Sequence, residues 1–439
     1  MQGSIYRHYF RYTVPTIAAM LVNGLYQLVD GIFIGQYVGS SGLAAINIAW
    51  ALTGTCTGVG LMIGVGTGSL TSIRKGEQDL HAARQTLSTG LMLCLIMAVL
   101  ITLFLWQFAR QFLSWQTDDP LVLSLGWDYL KILSFNSLFM LGAIAMPFLM
   151  RNDDSPNRAT LLMVLGAGLN ILFDYLFIGV FGWQLTGAGV ATSLSQAVVT
   201  LLALHYFFSP AARIRLTRAD FRFHVNQIGP ILLIGTSSFF MYLYWGVMVG
   251  MHNSQFAHYG GTQVIAAYAI LGYIVTFYYL TVEGIANGMQ PLASYSFGAK
   301  QYGNIFKLLK VAMFLAIALG VLVLLLLNLY PDPIIAIFNR DSEVVSGFVK
   351  QGIVLHLFVL FLDGFLVVAT AYYQSINHGR KAMAIAIGNI LVQPPFLYIL
   401  PKYWGLTGVW LAFPLSNILI SLLVVGMMFF DLKKMVVRL

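Results

Sequence analysis

The chain has 439 residues, of which 59% are hydrophobic and 9% charged, and it carries a net charge of +8. An ordinary soluble domain has about 25% charged residues, so this composition excludes a water-soluble domain and reads as an integral membrane protein. The basic residues are spread over short loops beside membrane ends, where topology and anionic lipid account for them, so nucleic acid is not an expected partner.

Apolar runs of spanning length are centred near residues 24, 56, 98, 138, 170, 197, 240, 277, 318, 363, 392 and 418. They predict an all-α polytopic protein with twelve transmembrane helices. Nothing before Pro15 resembles a cleavage site, so no removable signal peptide is expected. Cys56 and Cys94 both fall inside apolar runs, with no disulfide framework and no metal-ligand spacing.

In the first span, Asp30 shares a helical face with Asn23, two turns away, and with Tyr26 and Gln27, one turn away. Pro15 earlier in that span is a place for the helix to bend. On the fifth span Asn170 and Asp174 are four residues apart. They stack on one face and can present an amide oxygen and a carboxylate to a single ion, with Thr192 on the next span. Paired carboxyls in low dielectric can instead share a proton, so either H+ or Na+ suits this place. Asn152-Asp153-Asp154 runs into Ser155-Pro156 and reads as a turn.

The segment from Pro210 to Gln227 has four arginines and little apolar length. It reads as a cytoplasmic linker, giving an N-terminal six-helix bundle over 1–208, a linker over 209–227 and a C-terminal six-helix bundle over 228–439. The seventh and eighth spans are rich in aromatic residues. Tyr242, Trp245 and Tyr278, with Tyr26 and Gln27, are candidates to line a cavity for planar lipophilic cations through stacking and cation–π attraction. Glu283 precedes a stretch interrupted by Gly and Pro, where a helix can loosen. Asp363 stands alone in the apolar tenth span, with His356 two turns earlier, and is a secondary candidate for a proton or cation. A charge at the bilayer centre costs about 2.5 to 3.5 kcal/mol, so Asp30, Asp174, Glu283 and Asp363 each need a partner, a proton or a wet cavity.

The two halves repeat one pattern. Leu70, Ser72 and Gly76 recur as Leu292, Ser294 and Gly298, and Pro15, Gly31 and Gly35 recur as Pro230, Gly246 and Gly250. Asn170, Asp174 and Leu185-Thr186-Gly187 recur as Asn389, Gln393 and Leu406-Thr407-Gly408. Asp30 thus falls opposite Trp245, and Asp174 opposite Gln393. Six spans per half make a parallel repeat, a signature of secondary transporters whose site lies near the bilayer midplane. With twelve alternating spans, most basic residues fall on one side, among them Arg74, Lys75, Arg151, Arg158, Arg213, Lys307, Lys310 and Lys381. Only Arg110, Lys131, Arg340, Lys350 and Lys402 fall on the other, which places both termini in the cytoplasm.

These residues resemble one known family, the multidrug and toxic compound extrusion (MATE) transporters. The resemblance runs over essentially the whole chain. It is carried by Pro15 with Val29-Asp30-Gly31-Ile32-Phe33-Ile34-Gly35, by the block from Arg74 to Arg84, and by Leu169-Asn170-Ile171-Leu172-Phe173-Asp174 with Gly187-Ala188-Gly189-Val190-Ala191-Thr192. It implies a cation site in the N-terminal half at Asp30, Asn170, Asp174 and Thr192, holding H+ or Na+, as in the DinF-like branch. Phe361-Leu362-Asp363-Gly364 resembles members with a functional Asp in the C-terminal half. The matching seventh-span acid is missing from Ser238-Phe239-Phe240-Met241-Tyr242, which favours the N-terminal cluster.

The resemblance implies a V-shaped pair of six-helix bundles that export cationic or amphipathic drugs in exchange for H+ or Na+ by alternating access. It also implies a bacterial cytoplasmic (inner) membrane location, contact with membrane lipid, and no cofactor beyond the coupling ion, while two complete halves in one chain make a monomer sufficient. The nearest rival is a flippase for lipids or lipid-linked oligosaccharides, which would line its cavity with Arg or Lys to hold pyrophosphate. The intramembrane charges read here are acidic. No phosphate-binding loop of the G-x-x-x-x-G-K-S/T type, no second acidic motif and no selectivity filter occurs, so neither ATP hydrolysis, enzyme chemistry nor a channel is expected.

Overall fold

The computed structural model describes residues 4–338 and 342–436; Arg340 lies outside them. Every regular element among the described residues is helical. In chain order these are α1 (Ile5–Tyr37), α2 (Ser40–Gly76), α3 (Leu80–Ser114), α4 (Pro120–Phe135), α5 (Ser137–Asn152), α6 (Pro156–Asp174) and α7 (Gln184–Phe208). They are followed by α8 (Val225–Tyr259), α9 (Thr262–Gly298), α10 (Tyr302–Leu329), α11 (Pro331–Ile335), α12 (Glu343–His356), α13 (Leu360–Ser375) and α14 (Gly379–Val436). Two short turns complete the set, a π-helical one at Tyr175–Val180 and a 3-10 one at Arg218–Asp220.

Loop acids start several of these helices. The Asp79 carboxylate accepts from the Ala82 amide at 2.9 Å, and Asp119 accepts from the Leu121 amide at 2.8 Å with Pro120 at the first helical position.

Nine of the described helices are long and apolar enough to cross a membrane, or eleven when each of two bent pairs is taken as one span. One pair is α4 with α5, bent by 65°, and the other is α12 with α13, bent by 55°. The long α14 supplies one more span. It breaks at Gly405 (φ 54, ψ −135), a conformation that glycine alone adopts readily, and so crosses twice. The result is twelve spans in two bundles.

The repeat is visible in the backbone. Left-handed residues come in matched pairs along the two halves: Gly39 with Gly261, Gln78 with Lys300, Asp154 with Asn377, and Gln184 with Gly405. The same inter-span corner has been kept at each place, although in three of the four pairs the residue has changed.

The chain divides into two compact units. The N-terminal unit is Ala18–Leu243 with Phe297–Ala299, and the C-terminal unit is Met1–Ile17, Tyr244–Ser296 and Lys300–Leu439. The divisions pass through α1, two residues after Pro15, and through α8. The core of the N-terminal unit is built of buried residues such as Ile63, Leu130, Leu141 and Ile231, and includes the free Cys56 and Cys94.

Residues 209–227 lie wholly within the N-terminal unit, fastened across one end of it as a strap. The buried Asp153 carboxylate accepts from the Tyr206 hydroxyl at 2.6 Å and from the Arg213 and Ile214 amides at 2.9 and 2.8 Å. Asp154 forms ion pairs with Lys75 and Arg213, both at 3.0 Å. Ala212, Ile214 and Leu216 bury themselves in a second apolar cluster with Leu87, Leu91 and Phe207. Further along, the Arg222 amide donates to Ser88 Oγ at 3.2 Å and the His224 amide to Thr89 Oγ1 at 3.3 Å. Asn152-Asp153-Asp154 forms the turn, and its two acids hold the strap.

Candidate functional site

Asp30 lies on α1, in the part belonging to the N-terminal unit. Asp174 is the last residue of α6, where the helix widens into the π-helical turn, and it is fully buried. The two carboxyls lie within electrostatic reach of each other. One turn before Asp174, the buried Asn170 donates through Nδ2 to Thr192 Oγ1 of α7 at 3.4 Å. Tyr26 of α1 and Tyr129 of α4 lie within electrostatic reach of both acids. The structure thus brings Asp30, Asn170, Asp174 and Thr192 together from three separate helices.

What distinguishes this cluster is a surplus of acceptors. Asp30 Oδ1, both carboxylate oxygens of Asp174 and Asn170 Oδ1 are buried with no protein donor. A buried acceptor left unpaired costs about 1 to 3 kcal/mol, and more when charged. Two carboxylates at this separation also repel. A shared proton relieves both penalties, as does a hard cation accepting oxygen ligands. The donor set is all oxygen, which suits Na+ and offers nothing to a soft metal.

Beside the cluster is a cavity of about 90 Å³. Its polar lining comes from Asn23, Tyr26, Asn170, Thr192, Ser195 and Gln196. Gln196 accepts from Asn136 Nδ2 at 2.7 Å, and Asn136 occupies the bend between α4 and α5. The cavity is mostly apolar with a polar side at these residues, and it is roomy enough for water to reach Asn170 and Thr192. Ser195 and Gln196, three and four residues past Thr192, share its helical face, a spacing by which the sequence could have disclosed them. Tyr129 carried no such signal.

The C-terminal unit treats its acid differently. Asp363, in the first turn of α13, accepts from the Tyr279 hydroxyl at 2.8 Å on Oδ2 and from Asn417 Nδ2 on Oδ1. At the positions matching the N-terminal acids, Trp245 packs edge-on against Tyr279 at 4.7 Å, and Gln393 accepts from the Tyr244 hydroxyl at 2.6 Å. A charged pair in one half has become a neutral hydrogen bond and an aromatic contact in the other.

Tyr278 works inside the bundle. Its buried hydroxyl donates to the Leu360 carbonyl at 2.9 Å and accepts from the Gly364 amide at 3.1 Å. In a regular helix Gly364 would donate to Leu360 directly. The tyrosine hydroxyl thus bridges two backbone groups of the first turn of α13, and a Cβ at Gly364 would meet it at 2.7 Å.

Of the other sequence candidates, Tyr26, Gln27 and Tyr242 belong to the N-terminal unit, and Trp245, Tyr278 and Pro15 to the C-terminal unit. Glu283 is half-buried on α9. His356 ends α12, with Nδ1 3.0 Å from the Trp410 carbonyl and its ring stacked on Phe413, so it serves the aromatic core. Among the described residues no group of three or more His, Cys, Asp or Glu could hold a metal ion.

Comparison with known proteins gives consistent findings. The MatE family matches residues 15–176 and 230–399. The multidrug export protein MepA of Staphylococcus aureus is 24% identical over 412 residues, 93% of this chain and 90% of that protein. MepA of Staphylococcus haemolyticus is 25% identical over 414 residues, with the same coverage of both chains. Among solved structures, an outward-facing multidrug resistance MATE family transporter of the MOP superfamily shares the fold with a TM-score of 0.93 at 24% identity, over 99% of this chain and 97% of its own. A MOP superfamily transporter from Pyrococcus furiosus, noted for the reverse polarity of its binding pocket, matches with a TM-score of 0.93 at 23% identity, over the same shares.

Proposed function

Because the chain belongs to the MatE family, as its match over both halves shows, we propose that it is a secondary active multidrug antiporter. In this reading it exports cationic or amphipathic organic compounds in exchange for H+ or Na+. The observation that carries the reading is the group of orphaned acceptors on Asp30, Asn170 and Asp174. A transporter needs a site whose charge changes when the coupling ion arrives, and this is the cluster with oxygen atoms to spare. The multidrug part rests on the MepA relatives, which are export proteins for drugs.

Each residue has a role in this proposal. Asp30 and Asp174 take the H+ or Na+, Asn170 adds a neutral oxygen, and Thr192 holds the Asn170 amide in place. Loading the site cancels negative charge in the N-terminal unit, which weakens its attraction for a cationic substrate and favours release. Pro15 lacks the amide that would complete the α1 ladder, so the helix can bend there as the site loads. Tyr26, Gln27 and Tyr242 of the N-terminal unit are the proposed contacts for aromatic, positively charged substrates. The protein acts as a monomer in a bacterial cytoplasmic membrane, with both termini in the cytoplasm. The flippase reading gains no support from the buried Lys75, because Asp154 and the Asn152 carbonyl already hold it.

The test is dye movement in proteoliposomes under an imposed pH gradient or an imposed Na+ gradient, with Asp30→Asn beside the wild type. Movement driven by either gradient and lost in the variant supports antiport and names the ion. Folded wild-type protein that moves no dye under either gradient would overturn the proposal.

A further inference from the structure

The C-terminal unit carries an apolar groove of about 450 Å³ between α10, α13 and α14, with no acid in its lining. Phe306, Leu309, Met313, Phe365, Met428 and Phe429 form most of its wall, and the one charged group in its lining is Lys310. The groove uses the first turns of α10 and the last turns of α14, so it opens at one membrane surface. Several of its residues face outward, Phe306 at 44% and Phe429 at 64% exposure, toward what is hydrocarbon in a bilayer.

Lys310 is eight residues into α10, about 12 Å along the axis from the helix start. It is exposed and makes no ion pair among the described residues. An ammonium set in an apolar wall beside the membrane surface is favoured by a neighbouring anion. The nearby carboxylate is not free to serve, because Asp431 is held by Lys381 at 2.5 Å and by the Tyr373 hydroxyl at 2.8 Å. Lys307 and Lys433, both exposed, add positive charge at the same end of these helices.

We propose that this groove binds one acidic phospholipid, its acyl chains on the Phe306, Met313, Phe365 and Phe429 side chains and its phosphate on Lys310. The lipid completes two unmet requirements at once. It covers an apolar surface concave enough to order a chain, and it gives Lys310 the anion that the protein withholds. A basic residue near the membrane surface adds about fivefold in preference for an acidic over a zwitterionic headgroup.

The experiment reconstitutes the full chain into nanodiscs containing equal amounts of phosphatidylglycerol and phosphatidylcholine, then counts tightly retained lipids by native mass spectrometry. The expected result is about fivefold enrichment of phosphatidylglycerol in one retained copy. Lys310→Gln should abolish that enrichment, and Met313→Trp, which fills the groove, should remove the retained lipid itself. Lys307→Gln removes the same charge outside the groove and should leave both unchanged. Equal retention of the two lipids by the wild type would mean ordinary boundary lipid and would overturn the proposal. Enrichment that survives Lys310→Gln, or that falls equally in Lys307→Gln, would overturn it as well. No gradient or dye enters the measurement, so its outcome is independent of the transport reaction.

Discussion

Tyr279 donates its hydroxyl to Asp363 across 2.8 Å, joining α9 to α13, and this bond marks the difference between the two halves. Asp363 has a donor for each carboxylate oxygen, whereas Asp174 has none for either. An acid already satisfied by fixed donors gains less from a proton or cation than one left with bare oxygens.

Asp30→Asn should fold and insert like the wild type, since it removes repulsion toward Asp174. Its dye efflux should no longer respond to either gradient. Parallel thermal melts and proteoliposome assays check both halves of this expectation. A variant with normal melting and normal coupled efflux would contradict it.

Asp174→Asn should alter the dependence of transport on pH or Na+ more than Asp363→Asn does. In the C-terminal unit the expected signature is on stability instead. Tyr279→Phe leaves one Asp363 oxygen unpaired and should cost about 1 to 3 kcal/mol in a denaturation experiment. Equal kinetic defects in Asp174→Asn and Asp363→Asn would refute the ranking.

The Tyr278 bridge at α13 predicts non-additive mutations. Gly364→Ala places a Cβ 2.7 Å from the Tyr278 hydroxyl and should destabilise by about 1 to 3 kcal/mol. In a Tyr278→Phe background the hydroxyl is gone and the Cβ no longer meets it, so the same alanine should cost less. The difference in a double-mutant cycle should be about 0.5 kcal/mol or more, and additivity would show that the hydroxyl is not the obstacle.

Asp153→Ala strips the strap of two hydrogen bonds, leaving the Arg213 and Ile214 amides without their acceptor, and frees the Tyr206 hydroxyl of α7 from Asp153. A loss of about 3 kcal/mol is expected, with limited trypsin cutting near Arg213 and Arg215 faster than in the wild type. Unchanged cleavage would mean that the apolar residues Ile214 and Leu216 hold the strap by themselves.

Twelve spans were legible because spanning length and apolarity are local properties that survive any packing. The two bent spans were not, since nothing in the composition around Asn136 or Leu357 sets it apart from an unbroken run. Asp30, Asn170, Asp174 and Thr192 stood out because polar groups are rare in such a chain, and helical periodicity put each on a shared or neighbouring face.

Which acid is left wanting was decided only in three dimensions. The donors that quiet Asp363 come from positions 84 and 54 residues away in sequence, on helices whose rotation depends on every packed neighbour. The strap likewise read as a charged linker until the Asp153 carboxylate, 60 and 61 residues back, was found holding its amides. Sequence spacing specifies who shares a helix face, while the pairing of donors and acceptors between helices is a property of the assembled bundle.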